Sequence, residues 1–477
     1  MRTSRRLRKK IARMDSIVRD ETDQHLSTRQ VIDSVDGNIN MIAIEATREN
    51  SLDDRKSTNE KTGVSLIGAI CNILTTAVGV GMLALPNAIA QAGYVPGFVM
   101  LAFCVGVALI CCWLLKEAMW LAIDIRKKQD PSAHVSTYEH VGAVAYGNLG
   151  RYAVAFALHS ALIGCSCLIA LLMGKALHRL APAIDTWLWI VISCSVMLPF
   201  VWLRTMKHIG LVSATFGTAS IVALTITVIV AGFMYVSYSG PATWISGSPV
   251  REYDPFGYHV WGLGTAFGTL TFAFAVTCTL PTILNDMEKK SQANRVIAYG
   301  VGATSLVYSL VAVCGFLGFG SWLVAPNVDN IFAVLEPGTN IATCTDVLVL
   351  LVCITHYAVM INPSCRALES ALGPKVSSSL VFGCAVRTGL VVVTALVAIF
   401  CGKFSALVDL IGSVSFALVH MVFPPIFYLK LRTMTGHSIY RTKKEKAITI
   451  ACGILVLLAL LGGTIGAISA IVNFINA

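Results

Sequence analysis

The residues whose chemistry stands out in this sequence are glycines and prolines placed inside long apolar segments. Residues 64–91 form one such segment, and its second half contains Gly79, Gly81 and Pro86. Glycine weakens a helix and proline removes a backbone donor, so we predict that the helix unwinds between Thr76 and Gly81. Unwound backbone at membrane depth is tolerated only where it is buried in protein or lines a watery cavity. The segment therefore predicts a binding site that includes free backbone N–H and C=O groups.

A second interruption of the same kind lies near the middle of the chain. Residues Gly262–Met287 are rich in small and hydroxyl side chains, and Ala275–Thr279 precede Pro281 by a few positions. Paired discontinuous helices in corresponding positions of two repeats are typical of secondary transporters. We therefore predict that the two breaks form one substrate site.

Such a site suits a zwitterion. The free N–H groups at the start of a half-helix favour a carboxylate, and unwound carbonyls accept an ammonium group or a cation. The alternative is that Gly79 and Gly81 only allow neighbouring helices to pack closely. The predicted substrate-binding residues are Thr75, Thr76, Val78, Gly79, Gly81, Phe274, Ala275, Thr277, Cys278 and Thr279.

A few polar side chains in or next to the apolar segments are candidates for ion coupling or gating. His356 could carry a proton, because an unperturbed imidazole titrates near pH ~6.5; the alternative is a neutral histidine bonded to a neighbouring helix. Asn72 and Thr355 are the further coupling-ion candidates, with Thr355 giving only weak support for sodium. Asp286 and Glu288 follow the second interruption, and they form either an inner gate or ordinary solvated loop charges.

Three charged residues lie deeper in the apolar segments. Arg387 has no acidic neighbour in its own segment, so it pairs with Asp346 or Asp409, lines a water path, or marks an error in the predicted boundaries. Asp346 and Asp409 lie near predicted outer ends. Either one recognises a cationic substrate side chain or serves as an interface or cap residue.

The composition predicts the elements that position these residues. The chain has 477 residues, of which 56% are hydrophobic and 13% charged, whereas soluble domains carry about 25% charged residues. Apolar runs of this length predict membrane-spanning helices. We predict eleven spans, at about 64–91, 95–123, 150–175, 184–203, 208–236, 260–285, 296–320, 341–367, 377–401, 404–430 and 447–475. The expected fold is all-α, with spans 1–5 and 6–10 as inverted repeats, discontinuous spans 1 and 6, and a peripheral span 11.

The distribution of charge predicts the orientation and the domains. Most Lys and Arg residues outside the N-terminal tail fall in loops that a cytoplasmic N-terminus places inside, as the positive-inside rule requires. We predict a cytoplasmic, mostly disordered basic tail over residues 1–62 and a transmembrane domain over 63–477. Since the basic residues concentrate in the tail and in short loops, we expect lipid and no nucleic acid as the partner of this charge.

Several other classes of function lack support. The sequence shows no CxxC pair or His/Cys cluster with metal-site spacing, so we predict no metal and no cofactor beyond a coupling ion, H⁺ or Na⁺. It also has no HExxH, GxSxG or P-loop motif, which argues against a membrane enzyme or an ATP-driven pump.

Six ordered blocks of the sequence resemble the amino acid/auxin permease family, and the details look most like its vacuolar-type and vesicular branches. The blocks are Asn72–Pro86, Thr137–Arg151, Leu280–Gln292, Gly315–Leu323, Thr355–Glu369 and Leu410–Leu431. The resemblance covers about residues 62–475. Many members show glycine or histidine at the sixth-span break, where this chain has Val276, Thr277 and Cys278.

The resemblance implies the inverted-repeat fold of the amino acid–polyamine–organocation superfamily, with substrate bound between spans 1, 3, 6, 8 and 10. It implies a secondary active transporter of neutral or cationic L-amino acids that works by alternating access with proton or sodium coupling. The alternatives are an uncoupled facilitator or an amino-acid sensor on the same fold. We expect an amino acid as the small-molecule partner, no obligate protein partner, and a plasma or vacuolar/lysosomal-type membrane with the N-terminus in the cytoplasm.

Overall fold

The computed structural model describes residues 63–130, 134–203, 216–238, 242–245, 251–256, 260–325, 328–373, 379–436 and 442–475. The chain divides into two units, Met1–Gly63 and Val64–Ala477. The predicted tail, residues 1–62, lies outside the described residues. The fold described below is that of the second unit.

Helices account for every predicted span. Within the described ranges, nine helices are long and apolar enough to cross a membrane, a bent pair forms span 1, and span 4 is a shorter apolar helix. The spans are Leu66–Ala77 with Leu85–Ala92 (span 1), Tyr94–Gln129 (span 2), Tyr138–Leu180 (span 3), Thr186–Trp202 (span 4), Thr218–Val236 (span 5), Val260–Ala273 with Leu280–Asp286 (span 6), Ala293–Phe319 (span 7), Asn340–Ala371 (span 8), Leu380–Cys401 (span 9), Phe404–Ile411 with Phe423–Met434 (span 10) and Lys443–Ile475 (span 11). Short 3₁₀ turns lie at Val80–Ala84, Val276–Cys278, Lys290–Gln292 and Gly320–Val324, a single α-turn lies at Ile331–Val334, and a π-helix over Gly412–Val422 joins the two parts of span 10.

Span 3 begins earlier than its predicted start at residue 150. The Thr137 side chain accepts a hydrogen bond from His140 N at 3.4 Å and so caps a helical segment that starts at Tyr138. A kink at Tyr146 and Gly147 then turns the chain into the span, and Gly147 adopts a φ of 63° that suits glycine. Residues before the kink were predicted to form a loop, but Tyr138 packs edge-on against Phe427 at 6.2 Å and stabilises helix there.

Span 1 is broken as predicted, although the break starts slightly later than residue 76. The hydroxyls of Thr75 and Thr76 donate to the carbonyls four residues earlier, at 2.8 and 2.5 Å, and the helix continues to Ala77. Val78 and Gly79 are extended. The 3₁₀ turn follows, and the second half-helix leaves at an angle of 50° to the first.

Span 6 is broken at the corresponding place. Its first half ends at Ala273, and Ala275 has a non-helical ψ of 44°. One 3₁₀ turn follows, and the second half begins at Leu280 with Pro281 in its first turn, where the missing N–H has no helical partner to lose.

Spans 6 and 10 form the centre of the bundle. In the most apolar 18 residues of each, 78% are buried, against 22% in span 11. The two spans approach closely at Gly268, where an added Cβ would lie 2.7 Å from the Asp409 carbonyl oxygen and 2.7 Å from Ser413 Oγ. Span 11 is therefore peripheral, and the all-helical fold with discontinuous spans 1 and 6 is confirmed.

Arg387 does not pair with either predicted aspartate. Its Nε donates to Glu369 Oε1 at 2.6 Å, so span 9 is tied to the end of span 8. Asp346 instead accepts two hydrogen bonds from Arg179 Nε of span 3, each at 3.1 Å. Both ion pairs compensate buried charge, which is costly when left alone.

Candidate functional site

A cavity of about 110 Å³ lies where the two breaks meet. A single water needs about 10–15 Å³ of such space, so the cavity has room for a small solute. Its lining comes from spans 1, 3, 6, 8 and 10, the set of spans that the sequence resemblance implied. The lining residues are Thr75, Thr76, Ala77, Gly79, Val80, Gly81, Leu162, Cys165, Ile169, Phe272, Ala273, Ala275, Cys278, Thr279, His356, Met360 and Phe416.

The structure brings most of the predicted substrate-binding residues to this cavity. From span 1 these are Thr75, Thr76, Gly79 and Gly81; from span 6 they are Ala275, Cys278 and Thr279. Val78, Phe274 and Thr277 are not in its lining. Val78 is buried in the core, and Phe274 packs edge-on against Tyr308 of span 7 with ring centres 5.1 Å apart.

Thr277 faces span 10 and not the cavity. Its Oγ1 lies 3.1 Å from His420 Nδ1 and 3.3 Å from the Val419 carbonyl oxygen. Both Thr277 and His420 are buried. This contact anchors the break of span 6 to the π-helix of span 10, and π-helical turns often mark functional sites.

The coupling-ion candidates lie at different depths. His356 lines the cavity, with Nδ1 2.8 Å from the Val352 carbonyl oxygen and 3.1 Å from Thr355 Oγ1. Thr355 is not in the cavity lining, and its hydroxyl donates back into its own helix. Asn72 is exposed one turn before the cavity, and its carbonyl accepts from the Thr76 hydroxyl.

The gate candidates Asp286 and Glu288 are both exposed. The backbone around them joins the entrance of span 1 to the exit of span 6. Val64 N donates to the Asp286 carbonyl oxygen at 2.9 Å, and Glu288 N donates to the Val64 carbonyl oxygen at 3.2 Å. Backbone groups therefore hold these two ends together in this conformation.

Among the residues that the sequence did not single out, Phe272, Phe416, Tyr308 and His420 make specific contacts at or next to the site. Phe272 and Phe416 pack edge-on at 5.2 Å and form one wall of the cavity. The Tyr308 hydroxyl lies within hydrogen-bond distance of the carbonyl oxygens that end both first half-helices, at Ala77 and Ala273. Tyr308 and His420 could have been noticed in the sequence, because a tyrosine or histidine stands out in an apolar span. Their partners on other spans could not be predicted from the sequence.

The cavity has few polar side chains. Among the lining residues that the structure describes, none carries a charged side chain, and His356 is the one imidazole. The other polar groups of the cavity are threonine hydroxyls and the backbone N–H and C=O groups of the two breaks. Thr279 lines the cavity, and its buried Oγ1 has no hydrogen-bond partner within the described structure.

Two broken helices around a solute-sized cavity, within an all-helical membrane-spanning bundle, define a transporter fold. Residues 62–469 match the family described as transmembrane amino acid transporter protein, and the chain belongs to this family.

Relatives and solved structures agree with this assignment. The chain is similar to amino acid transporter AVT1C of Arabidopsis thaliana, with 25% identity over 86% of this chain and 70% of the relative. It is also similar to AVT1E of the same plant, with 25% identity over 89% of this chain and 76% of the relative. Among solved structures, it resembles MhsT in complex with L-phenylalanine (TM-score 0.53, 13% identity, 85% of this chain and 98% of that one) and Mhp1 in an inward-facing conformation (TM-score 0.51, 13% identity, 87% and 90%). These structures show the fold.

Proposed function

We propose that the protein is a secondary active transporter of small neutral L-amino acids that works by alternating access and is driven by protons. The observation that carries the proposal is the cavity between the two breaks, which combines open backbone, an unpartnered hydroxyl on Thr279 and an otherwise largely apolar lining. The family and the amino acid transporters among its relatives support the substrate class.

The choice of a neutral side chain rests on the cavity lining. A lysine or arginine side chain in a low-dielectric cavity needs a carboxylate partner, and none of the lining residues supplies one. Asp346, which the sequence offered as such a partner, is paired with Arg179. The zwitterionic part common to all amino acids would bond the backbone of the breaks.

Proton coupling is proposed from the position of His356. The imidazole borders the cavity and its Nδ1 is within hydrogen-bond distance of the Val352 carbonyl oxygen, so substrate and ring share one small volume. The sequence favours sodium only weakly, and Thr355 stands outside the cavity lining with its hydroxyl bonded within its own helix.

The experiment is uptake by the purified full chain in proteoliposomes. All twenty amino acids are offered under an inward proton gradient and, separately, under a sodium gradient. We expect accumulation of a neutral subset under the proton gradient, and we expect His356→Gln to reduce the pH dependence of that uptake. Equilibration without accumulation would replace the proposal by a facilitator. Binding without uptake would replace it by a sensor.

A further inference from the structure

Buried charges in the described part of the chain come as ion pairs, with one exception. The pairs that contain a buried charged residue are Lys116–Glu117, Lys175–Asp329, Arg179–Asp346 and Arg387–Glu369. The exception is Asp409 of span 10, which is fully buried and belongs to none of the ion pairs found among the described residues. Asp409 is not part of the cavity lining either.

Asp409 sits in a small polar cluster between spans 6, 10 and 11. Its Oδ1 accepts a hydrogen bond from Thr269 Oγ1 at 2.5 Å. Its Oδ2 has no partner in the described structure, and neither has the buried Ser413 Oγ one turn further along the span. The carboxylate thus has one hydrogen bond of good geometry, to Thr269, and the Thr265 hydroxyl lies close enough to interact with it as well.

An unpaired carboxylate at this depth is costly, and intramembrane ionisable residues commonly belong to ion or proton pathways. A proton on Oδ2 would remove the charge and supply a donor where the structure has none. We propose that Asp409 is a protonation site of the transport cycle, loaded from the predicted outer face. The step converts the carboxylate and a hydronium ion into the carboxylic acid and water, and it rests on the proposed function.

A chain of polar side chains leads from the outer face towards Asp409. A second cavity, of about 540 Å³, is lined by Glu252 and Asp254 and also by Thr265 and Asn473. Thr265 precedes Thr269 by four residues, so the two hydroxyls lie on the same face of span 6, one turn apart. Acidic side chains at the mouth would raise the local concentration of protons.

Two hydroxyls and an amide connect this mouth to span 11. Thr265 Oγ1 lies 2.9 Å from Ser469 Oγ, and Asn473 Nδ2 donates to Thr265 Oγ1 at 3.4 Å. The Ser469 hydroxyl in turn donates to the Trp261 carbonyl oxygen at 2.8 Å. These contacts place polar groups between the second cavity and the part of span 6 that holds Thr265, and Thr265 lies near the Asp409 carboxylate.

The charge on Asp409 would act on the substrate cavity through the packing of spans 6 and 10. Phe272 lies three residues after Thr269, and Phe416 lies three residues after Ser413. These two rings form the cavity wall. A change in charge between the spans therefore alters the contact next to the substrate, and it provides a coupling between the two sites.

The neighbouring elements bring few other charges to Asp409. The first half of span 6 and the turn Val80–Ala84 contain none. Span 11 carries its charges at 443–446, which lie about 27 residues before Asn473, or roughly 40 Å along the helix. On span 10 itself, His420 is hydrogen-bonded to Thr277. Lys403, just before the span, donates to the Asn473 carbonyl oxygen at 3.3 Å.

Span 3 also packs against this part of span 10. Its outer cation, Lys175, is paired with Asp329, and Asp329 also accepts a hydrogen bond from Phe404 N at 2.8 Å. His178 and Arg179 lie further towards the end of that span. His178 Nδ1 is 2.7 Å from the Ile184 carbonyl oxygen, and Arg179 is paired with Asp346. Among the described residues of this region, Asp409 is therefore the buried carboxylate that has no ion-pair partner.

The test uses the full chain in proteoliposomes with Asp409→Asn, which keeps the shape and removes the titration. One proton per substrate allows about tenfold accumulation per pH unit of gradient. We expect wild type to approach that ratio, and we expect Asp409→Asn to equilibrate to a ratio of about one while still exchanging internal for external substrate. Asp185→Asn is the control: this carboxylate at the start of span 4 is exposed and makes no capping hydrogen bond, so the variant should still accumulate substrate.

A second variant covers the case in which Asp409→Asn does not fold. Thr269→Val removes the hydrogen bond that stabilises the carboxylate, so we expect the pH midpoint of uptake to move to higher pH. Accumulation by Asp409→Asn equal to wild type, or an unmoved midpoint in Thr269→Val, would overturn the inference and leave the proposed function standing. If wild type itself accumulates nothing, or accumulates only with sodium, the proton-driven function fails, and this inference fails with it.

Discussion

The break in span 1 and the break in span 6 both have small residues a few positions before a proline, but their surroundings differ. The span 1 break leaves open space at Gly79, where an added Cβ would meet no atom within 4 Å, although Val78 and Val80 on either side are buried. The span 6 break is anchored, since the buried Thr277 is hydrogen-bonded to His420 of span 10. One break thus leaves space at a glycine that lines the cavity, and the other is held by a contact with span 10.

The same contrast recurs within each break. In span 1, Gly79 borders open space, whereas a Cβ on Gly81 would lie 2.6 Å from the Phe272 ring. In span 6, Thr279 lines the cavity with a hydroxyl that has no partner among the described residues, whereas the Thr277 hydroxyl is bonded to His420. Neighbouring residues of the same type therefore have separable roles, and substitutions can tell the roles apart.

The largest effect is expected from Gly81→Ala. The new methyl group overlaps the Phe272 ring, and overpacking of this kind costs about 1–3 kcal/mol. We expect uptake per folded protein to fall at least about tenfold, because the displaced ring is the cavity wall. Gly106→Ala in span 2, whose Cβ meets no atom within 4 Å, is the control and should transport normally. Equal uptake by both variants would show that Gly81 is not needed for close packing.

A somewhat smaller effect is expected from Thr277→Val. The substitution leaves the buried His420 Nδ1 without its hydroxyl partner, which costs about 1–3 kcal/mol of stability. Thermal unfolding in detergent should show a lower midpoint, with little change in the KM of the protein that remains folded. A raised KM with unchanged stability would place Thr277 at the substrate and reverse the comparison.

The smallest effect is expected from Thr279→Val. Its hydroxyl has no partner in the described structure, so stability should stay the same, while loss of one hydrogen bond to substrate costs about 0.5–1.5 kcal/mol. We expect KM to rise by roughly two- to tenfold. The measurement is concentration-dependent uptake, alongside the unfolding midpoint used for Thr277→Val.

The sequence predicted the parts of this molecule that depend on local chemistry. Both breaks were indicated by a proline, Pro86 or Pro281, and the small residues before it. A missing N–H or Cβ weakens a helix in any fold, so this signal is local. The long apolar runs indicated the spans for a similar reason. The break in span 1 begins after Thr76 and not at it, since the Thr75 and Thr76 hydroxyls bond carbonyls of the preceding turn.

Contacts between spans could not be predicted in this way. Thr277 looked like a substrate ligand because it lies in a break, and only the position of span 10 shows that it faces His420. Arg387 had several conceivable partners, and its ion pair with Glu369 depends on how spans 8 and 9 meet. From the sequence, Asp409 looked like an interface or cap residue. The structure shows that Thr269 donates to its Oδ1, while its Oδ2 lacks a hydrogen bond of good geometry within the described residues.

The central claim is that one cavity, shared by two unlike breaks, binds the amino acid. Equilibrium binding of radiolabelled amino acids to the purified protein tests it most directly, with wild type, Thr279→Val and Thr277→Val compared per folded molecule. The account predicts saturable binding of a neutral amino acid that Thr279→Val weakens and Thr277→Val leaves nearly unchanged. Absence of binding in wild type, or equal affinity in wild type and Thr279→Val, would contradict it.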